Sequence, residues 1–322
     1  MSFLEYRLKS VPTGVSKIFY LNWALFLVVT AVAAIGWLML YSIAGGDIET
    51  WAEPQMKRYA AGFVISLAVA LTPIWFWRSM SAAAYIATFA LLLVVYFFGA
   101  VGMGAQRWID FGFVRLQPSE FMKVSLIMML ATYYDWLDDR KVSRLPWVIL
   151  PVAMILAPAV LVLMEPNLGT TLMLVVAGAS VMFAAGVSLW YFGAVIGLIG
   201  AGVAGVFLLR GTPWQFLHDY QYRRIDTFLD PSADPLGAGY NILQAKIALG
   251  SGGMAGKGFM QGTQSRLNFL PEKHTDFIFT TLGEEFGFVG AISLLTVYAA
   301  ILIFLFWAAM QNKDRFSSLL LI

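Results

Sequence analysis

The chain has 322 residues, of which 60% are hydrophobic and 12% charged, with net charge +2 and a mean hydropathy of +0.75. Soluble domains are about 45–50% apolar and about 25% charged, so this composition describes an integral membrane protein and excludes disorder, coiled coil and collagen. There is no cysteine and only His218 and His274, which excludes disulfide scaffolds, thiol catalysis and histidine-rich metal centres. The small net charge implies no broad nucleic-acid surface and no nucleic-acid partner.

A bilayer core needs about 20 apolar residues in a helix, and charge-free windows locate the spans. Leu21–Ile43 is the first, after a charged segment 1–20 that is expected in the cytoplasm. Tyr59–Trp77 and Ser79–Gln106 follow, the latter with its apolar part ending near Gly102. Pro118–Leu137 is apolar but carries Glu120, Lys123 and Asp135; Pro146–Met164 is the fifth window. Leu168–Leu209 is uncharged for 42 residues and divides at Gly186-Val187-Ser188 into two spans. Phe286–Met310 is the eighth, and Ser317–Ile322 reads as the start of a ninth within a final segment 311–322. An all-α polytopic bundle of about eight spans is therefore expected, with spans one to seven in 21–209.

The first apolar run lacks a small-residue cleavage site, so it is not a removable signal peptide. With the N-terminus inside, Arg7, Lys9, Lys17, Arg78, Arg140, Lys141, Arg144, Lys313 and Arg315 are cytoplasmic. Only Lys57, Arg58, Arg107 and Arg115 then fall in short outer loops. This bias sets the orientation and places the long segment Arg210–Glu285 outside.

Arg210–Glu285 holds 15 of the 40 charged residues. Such a long connection is functional or disordered, and its Trp214, Tyr220, Tyr222, Phe228, Tyr240 and Phe259 argue for structure. Tyr240–Leu249 predicts a short interfacial helix bracketed by Gly239 and Gly250. Six glycines follow in Gly250–Gly262. Gly256-Lys257 does not make a phosphate loop, because the glycine spacing is wrong and Gly258 stands where Ser or Thr would bind magnesium.

Leu270-Pro271-Glu272-Lys273-His274-Thr275-Asp276-Phe277 is the densest polar cluster. Asp276 reads either as a cap for the following helix or as a carboxylate whose proton affinity is tuned near the membrane face. Glu284 and Glu285 read as first-turn residues favoured by the helix dipole. In the fourth window, Pro118 suits a first helical position, and Glu120 and Lys123 share a helix face. An ion pair easing insertion and a functional intramembrane pair both fit them. Glu165, in the short turn with Pro166 and Asn167, reads the same way.

These motifs, in order and spacing, resemble the SEDS family of bacterial shape, elongation, division and sporulation membrane proteins. The resemblance rests on Gly104-Ala105-Gln106-Arg107-Trp108, Gln117-Pro118-Ser119-Glu120, Glu165-Pro166-Asn167-Leu168-Gly169-Thr170, Asp234-Pro235-Leu236-Gly237-Ala238-Gly239-Tyr240 and Leu270–Phe277. The glycine segment with Gly262-Thr263-Gln264-Ser265 resembles the RodA branch rather than the FtsW branch. What the resemblance implies is a SEDS-type bundle of about ten spans, two of which, with a Pro/Gly/Ser-rich motif near the substrate cavity, would lie beyond Ile322.

The implied activity is peptidoglycan glycosyl transfer: polymerisation of lipid II on the outer face of the bacterial inner membrane during cell elongation. A class B penicillin-binding protein is the implied partner, alongside other membrane proteins of the elongation machinery. The family's essential aspartate corresponds to Asp276, and its important intramembrane Glu and Lys correspond to Glu120 and Lys123. Lipid II carries its own pyrophosphate leaving group, so no cofactor is required. Asp276 is the expected general base of an inverting transfer. Lys123, Arg107, Arg223, Arg224 and Lys273 are candidates for the pyrophosphates, with Glu165 also a substrate-binding candidate. A divalent cation, magnesium or manganese, can share that work, and Glu120 would orient Lys123 or help hold it. The rival readings are a lipid-linked sugar flippase and a non-catalytic scaffold for a penicillin-binding protein. Neither matching broken helices nor an internal repeat, frequent in transporters, is evident.

Overall fold

The computed structural model describes residues 14–102, 105–110, 112, 115–215, 217–233, 239–266 and 273–322. Its helices are α1 (Trp23–Ile43), α2 (Ala52–Leu71), α3 (Ile74–Phe98), α4 (Pro118–Trp136), α5 (Leu145–Met164), α6 (Leu168–Ala184) and α7 (Leu189–Leu208). They are followed by α8 (Asp219–Leu229), α9 (Tyr240–Ser251), α10 (Thr263–Arg266), α11 (Ile278–Gln311) and α12 (Arg315–Leu321). Five of them, α1, α3, α5, α7 and α11, are long and apolar enough to cross a membrane. The chain is an all-α, multi-pass membrane protein.

Several helix boundaries differ from the charge-free windows; α3, for one, starts at Ile74 rather than Ser79 and takes in Arg78. α2 starts at Ala52 and takes Glu53, Lys57 and Arg58 into its first turns, where Glu53 and Lys57 pair at 2.6 Å. It stops before Pro73, whose missing N–H suits the start of α3. α11 starts at Ile278 rather than Phe286, so it takes in the acidic pair that closed the apolar window.

A small antiparallel sheet interrupts the helices. Its strands are β1 (Ala100–Gly102), β2 (Ala105–Asp110) and β3 (Arg115–Leu116). β1 pairs with β2 through Ala100 opposite Trp108 and Gly102 opposite Ala105; β2 pairs with β3 through Ile109 opposite Leu116 and Asp110 opposite Arg115. The apolar window expected to run on to Gly102 takes in β1. α3 instead closes at Gly99, whose N–H donates to the Val95 carbonyl at 2.8 Å and where a Cβ would meet that oxygen at 2.5 Å.

The chain forms two compact units. The first comprises 1–20, 71–197 and 304–322. Its core is one cluster around α4, in which Met122, Leu126, Leu130 and Tyr134 pack with Leu92, Ile155, Leu174 and Phe316. α5 and α6 approach closely at Gly178, where any Cβ would lie 2.5 Å from Ile155, the small-residue packing that lets membrane helices touch without a hydrophobic driving force. Arg315 donates to the carbonyls of Leu137 and Ala185, each at 3.2 Å, just past the ends of α4 and α6, where a cation is favoured by the helix dipole. Arg78 joins Asp135 at 3.3 Å and also pairs with Asp314.

The second unit comprises 21–70 and 198–303. α1 and α2 pack through the Thr30–Tyr59 hydroxyl contact at 2.6 Å and the edge-on Trp37–Tyr59 pair. α8 is held by a bidentate Arg210–Asp226 pair at 2.7–2.8 Å and by the Tyr222 hydroxyl, which donates to the Val206 carbonyl at 2.7 Å.

Candidate functional site

The candidate residues fall into two groups, one in each unit. In the first unit the sheet delivers β2 and β3 to the N-terminus of α4. Pro118 occupies the first turn of that helix, as its missing N–H and fixed φ favour. Glu120 and Lys123 pair at 2.8 Å across one turn, Glu120 being the more exposed side chain. A cavity of about 270 Å³ opens beside them, lined by Trp108, Arg115, Leu116, Gln117, Glu120 and Phe121. It offers an aromatic face, a guanidinium and a carboxylate together.

Arg107 has a different setting from the one its motif suggests. Its Nε donates to the Glu165 carbonyl at 3.2 Å and its terminal nitrogen donates to the Pro166 carbonyl. It therefore ties the sheet to the α5–α6 turn, while Arg115, which is not among the candidates drawn from the sequence, is the cation that lines the cavity. Arg115 also pairs with Asp110 at 3.1 Å. Glu165 is 3% exposed at the end of α5. Burial pushes its carboxyl up to about 7 against the opposing pull of the Arg107 charge.

In the second unit, Lys273–Phe277 forms a turn that leads directly into α11. Asp276 is exposed, and among the described residues its carboxylate makes no hydrogen bond or ion pair. Burial draws the Lys273 ammonium below its usual value. The indole of Trp51 stacks on the His274 imidazole, centroids 3.9 Å apart and planes 16° apart.

The glycine segment is fastened to the start of α11. Lys257 and Gly258 N–H donate to the carbonyls of Glu284 and Glu285 at 3.0 and 2.9 Å, and Phe288 and Val289 N–H donate back to Gly253 and Met254 at 2.8 and 3.1 Å. Gly287, at φ 66° and ψ −163°, interrupts α11 there, a conformation open to glycine and strained for other residues. Cβ atoms at Gly252 and Gly256 would sit 2.1 Å from the Gly283 and Glu285 carbonyl oxygens. These glycines therefore serve close backbone packing.

Glu284 and Glu285 are not the solvated first-turn residues that their sequence suggests. They lie two turns into α11, 0% and 1% exposed. One oxygen of Glu284 accepts from Lys257 Nζ at 2.7 Å, Thr263 N at 2.8 Å, Thr263 Oγ1 at 3.0 Å and Gln264 N at 3.1 Å. Glu285 accepts from the Ser42 hydroxyl. Burial of two carboxylates is tolerated only with such compensation.

Arg223 lies exposed on α8; the Arg224 side chain falls outside the described residues. So do Asp234–Ala238 and Leu270–Glu272, parts of two sequence motifs. Among the described residues no group of three or more His, Asp or Glu is placed to hold a metal ion.

Residues 22–322 match the family model FTSW_RODA_SPOVE, described as "Cell cycle protein". The chain is 39% identical over 298 residues to the peptidoglycan glycosyltransferase MrdB of Escherichia coli K12, covering 92% of this chain and 78% of that protein. It is 36% identical to a probable peptidoglycan glycosyltransferase FtsW of Escherichia coli O6:H1, covering 83% of this chain and 64% of that one. Among solved structures, it matches a chain from a study of how a peptidoglycan synthase complex coordinates polymerization and crosslinking, with TM-score 0.76 and 26% identity over 93% of this chain and 81% of that one. It also shares the fold of the Thermus thermophilus rod shape determining protein RodA, with TM-score 0.66 and 23% identity over 93% of this chain and 79% of that one. The chain therefore belongs to the FtsW/RodA/SpoVE family of membrane proteins.

Proposed function

We propose that this chain is a peptidoglycan glycosyltransferase that polymerises lipid II on the outer face of the bacterial inner membrane. The observation that carries the reading is its 39% identity, across 92% of its length, to a protein named for that activity. The exposed carboxylate of Asp276, with no partner among the described residues, supplies a chemical group suited to it.

In the proposed step, the acceptor sugar hydroxyl attacks the anomeric carbon that bears the lipid pyrophosphate. A new C–O bond forms opposite the old one, which breaks with its electron pair going to the pyrophosphate, so the configuration inverts. Asp276 takes the hydroxyl proton, a contribution of about 10²–10⁴ in rate for a positioned base. Cations offset the charge gathering on the leaving group. Arg115 joins Lys123, Arg223, Arg224 and Lys273 as candidates for that work. Arg107, spent on two backbone carbonyls, and buried Glu165 are better suited to shaping the sheet. Magnesium or manganese, if bound, would supply further positive charge against the pyrophosphate, and Glu120 is the residue that would help hold it.

A class B penicillin-binding protein is the proposed partner, because a glycan strand made at the outer face must be cross-linked there. The resemblance to a chain from a peptidoglycan synthase complex supports this. The N-terminus is proposed to be cytoplasmic. The test is purified protein in liposomes with labelled lipid II and the partner: glycan strands support the reading. Lipid II that crosses the bilayer without polymerising would replace it with the flippase reading.

A further inference from the structure

Trp51 closes the segment between α1 and α2, and its stack on His274 joins two stretches far apart in the sequence. His274 stands two residues before Asp276 in the turn Lys273–Phe277. On its C-terminal side that turn is anchored by α11, where Thr280 and Thr281 N–H donate to the Phe277 carbonyl at 3.0 and 3.3 Å. No described residue holds the Asp276 carboxylate, so the place of the turn Lys273–Phe277 bears directly on the place of that carboxylate.

Trp51 stands on a hydrogen-bonded segment. Glu53 N–H donates to the Ile48 carbonyl at 2.8 Å, Gly46 N–H to Tyr41 at 3.0 Å, and Glu49 N–H to the Asp47 side chain at 2.9 Å. Ala52, next to it, is 0% exposed. The indole carried on this segment is 39% exposed and meets the imidazole face to face.

We infer that Trp51 is a positioning residue for Asp276, acting through its ring contact with His274. This rests on the reading of Asp276 as the base in glycosyl transfer. A tryptophan at a helix end also suits a bilayer interface, but an interfacial anchor has no need of His274, and that difference makes the two roles separable.

The test uses the full chain, reconstituted with its partner and lipid II, with Trp51→Leu, Trp51→Tyr, His274→Ala and the Trp51→Leu/His274→Ala double variant. Trp51→Leu should lower kcat about three- to tenfold with KM little changed, the scale of an aromatic pair, and Trp51→Tyr should restore most of it. In the His274→Ala background Trp51→Leu should cause no further loss, because the contact is already gone. Hydrogen exchange over residues 273–277 should quicken in Trp51→Leu and recover in Trp51→Tyr. Unchanged kcat, a loss seen only in KM, a loss that tyrosine does not restore, or fully additive losses would overturn the inference. If Trp51→Leu does not fold, the exchange and kcat of Trp51→Phe against the parent decide it. Failure of the parent to make glycan would defeat the functional reading instead, and unchanged exchange in the turn would still defeat the positioning role.

Discussion

Lys257 Nζ and Glu284 Oε1 meet at 2.7 Å, with the carboxylate side chain wholly buried. The pair fastens the glycine segment to the start of α11, two turns beyond Asp276. Removing one partner of a buried pair strands the other, at a cost of about 3–5 kcal/mol in typical cases. Because Lys257 keeps 27% of its side-chain surface, Glu284→Ala is expected near the low end, about 3 kcal/mol. Thermal unfolding in detergent measures it, and Lys257→Met should cost about as much, since it takes the paired cation from a fully buried carboxylate that keeps only its Thr263 and Gln264 donors.

Gly256→Ala should be among the more damaging small substitutions, because its Cβ would strike backbone 2.1 Å away at a φ of +82°. A loss of about 2–4 kcal/mol is expected from the enforced shift and the strained φ. Gly250→Ala, inside α9 with open space around it, should be neutral or stabilise by up to about 1 kcal/mol. Denaturation of the two variants side by side checks the contrast.

Glu165 gives the fold a pH dependence. Burial raises its carboxyl from the usual 4.5 to about 7, so between those values the folded state binds more protons than the unfolded one. Stability from this group is present below about 4.5 and is lost as pH rises through about 7. The penalty at high pH is about 1–2 kcal/mol after allowing for partial solvent screening. Glu165→Gln should flatten the melting-temperature profile between pH 5 and 8, as thermal scans across about that range would show.

Arg115→Ala should raise KM for lipid II about tenfold or more if its guanidinium meets the leaving pyrophosphate, the worth of one charge-assisted hydrogen bond. Arg107→Ala should instead lower thermal stability, because it releases two carbonyl contacts that tie the sheet to the α5–α6 turn. Steady-state kinetics and melting curves on both variants separate binding from structure.

The long apolar helices are legible in the sequence because a charge-free stretch of about 20 residues matches the thickness of a bilayer core and little else in a folded chain. Gly239 likewise marks the start of α9, but the helix runs through the expected stop at Gly250 and ends at Ser251, capped by Gly252. The sheet is hidden because β1, Ala100-Val101-Gly102, continues the apolar composition of α3, and a three-residue strand has no period to read. Glu284 and Glu285 mislead because two adjacent acids beside an apolar run look like a helix start. Their burial depends on Lys257, Thr263 and Ser42, which lie in other elements, and no local pattern announces those partners. Trp51 escapes for the same reason: its spacing suits an interface anchor, and only the folded chain brings it to His274. Arg107 and Arg115 are chemically alike in sequence, and register across β2 and β3 decides which one lines the cavity.

Asp276 is proposed to receive the proton in glycan polymerisation. Its most direct test is the rate of lipid II polymerisation by the purified chain with its penicillin-binding partner, parent against Asp276→Asn. The exchange of one oxygen for nitrogen at an exposed position should leave the melting temperature within about 1 °C, since surface changes away from structural contacts cost little. The rate should fall by at least about 10²-fold. A folded Asp276→Asn variant that polymerises at the parental rate would contradict the claim.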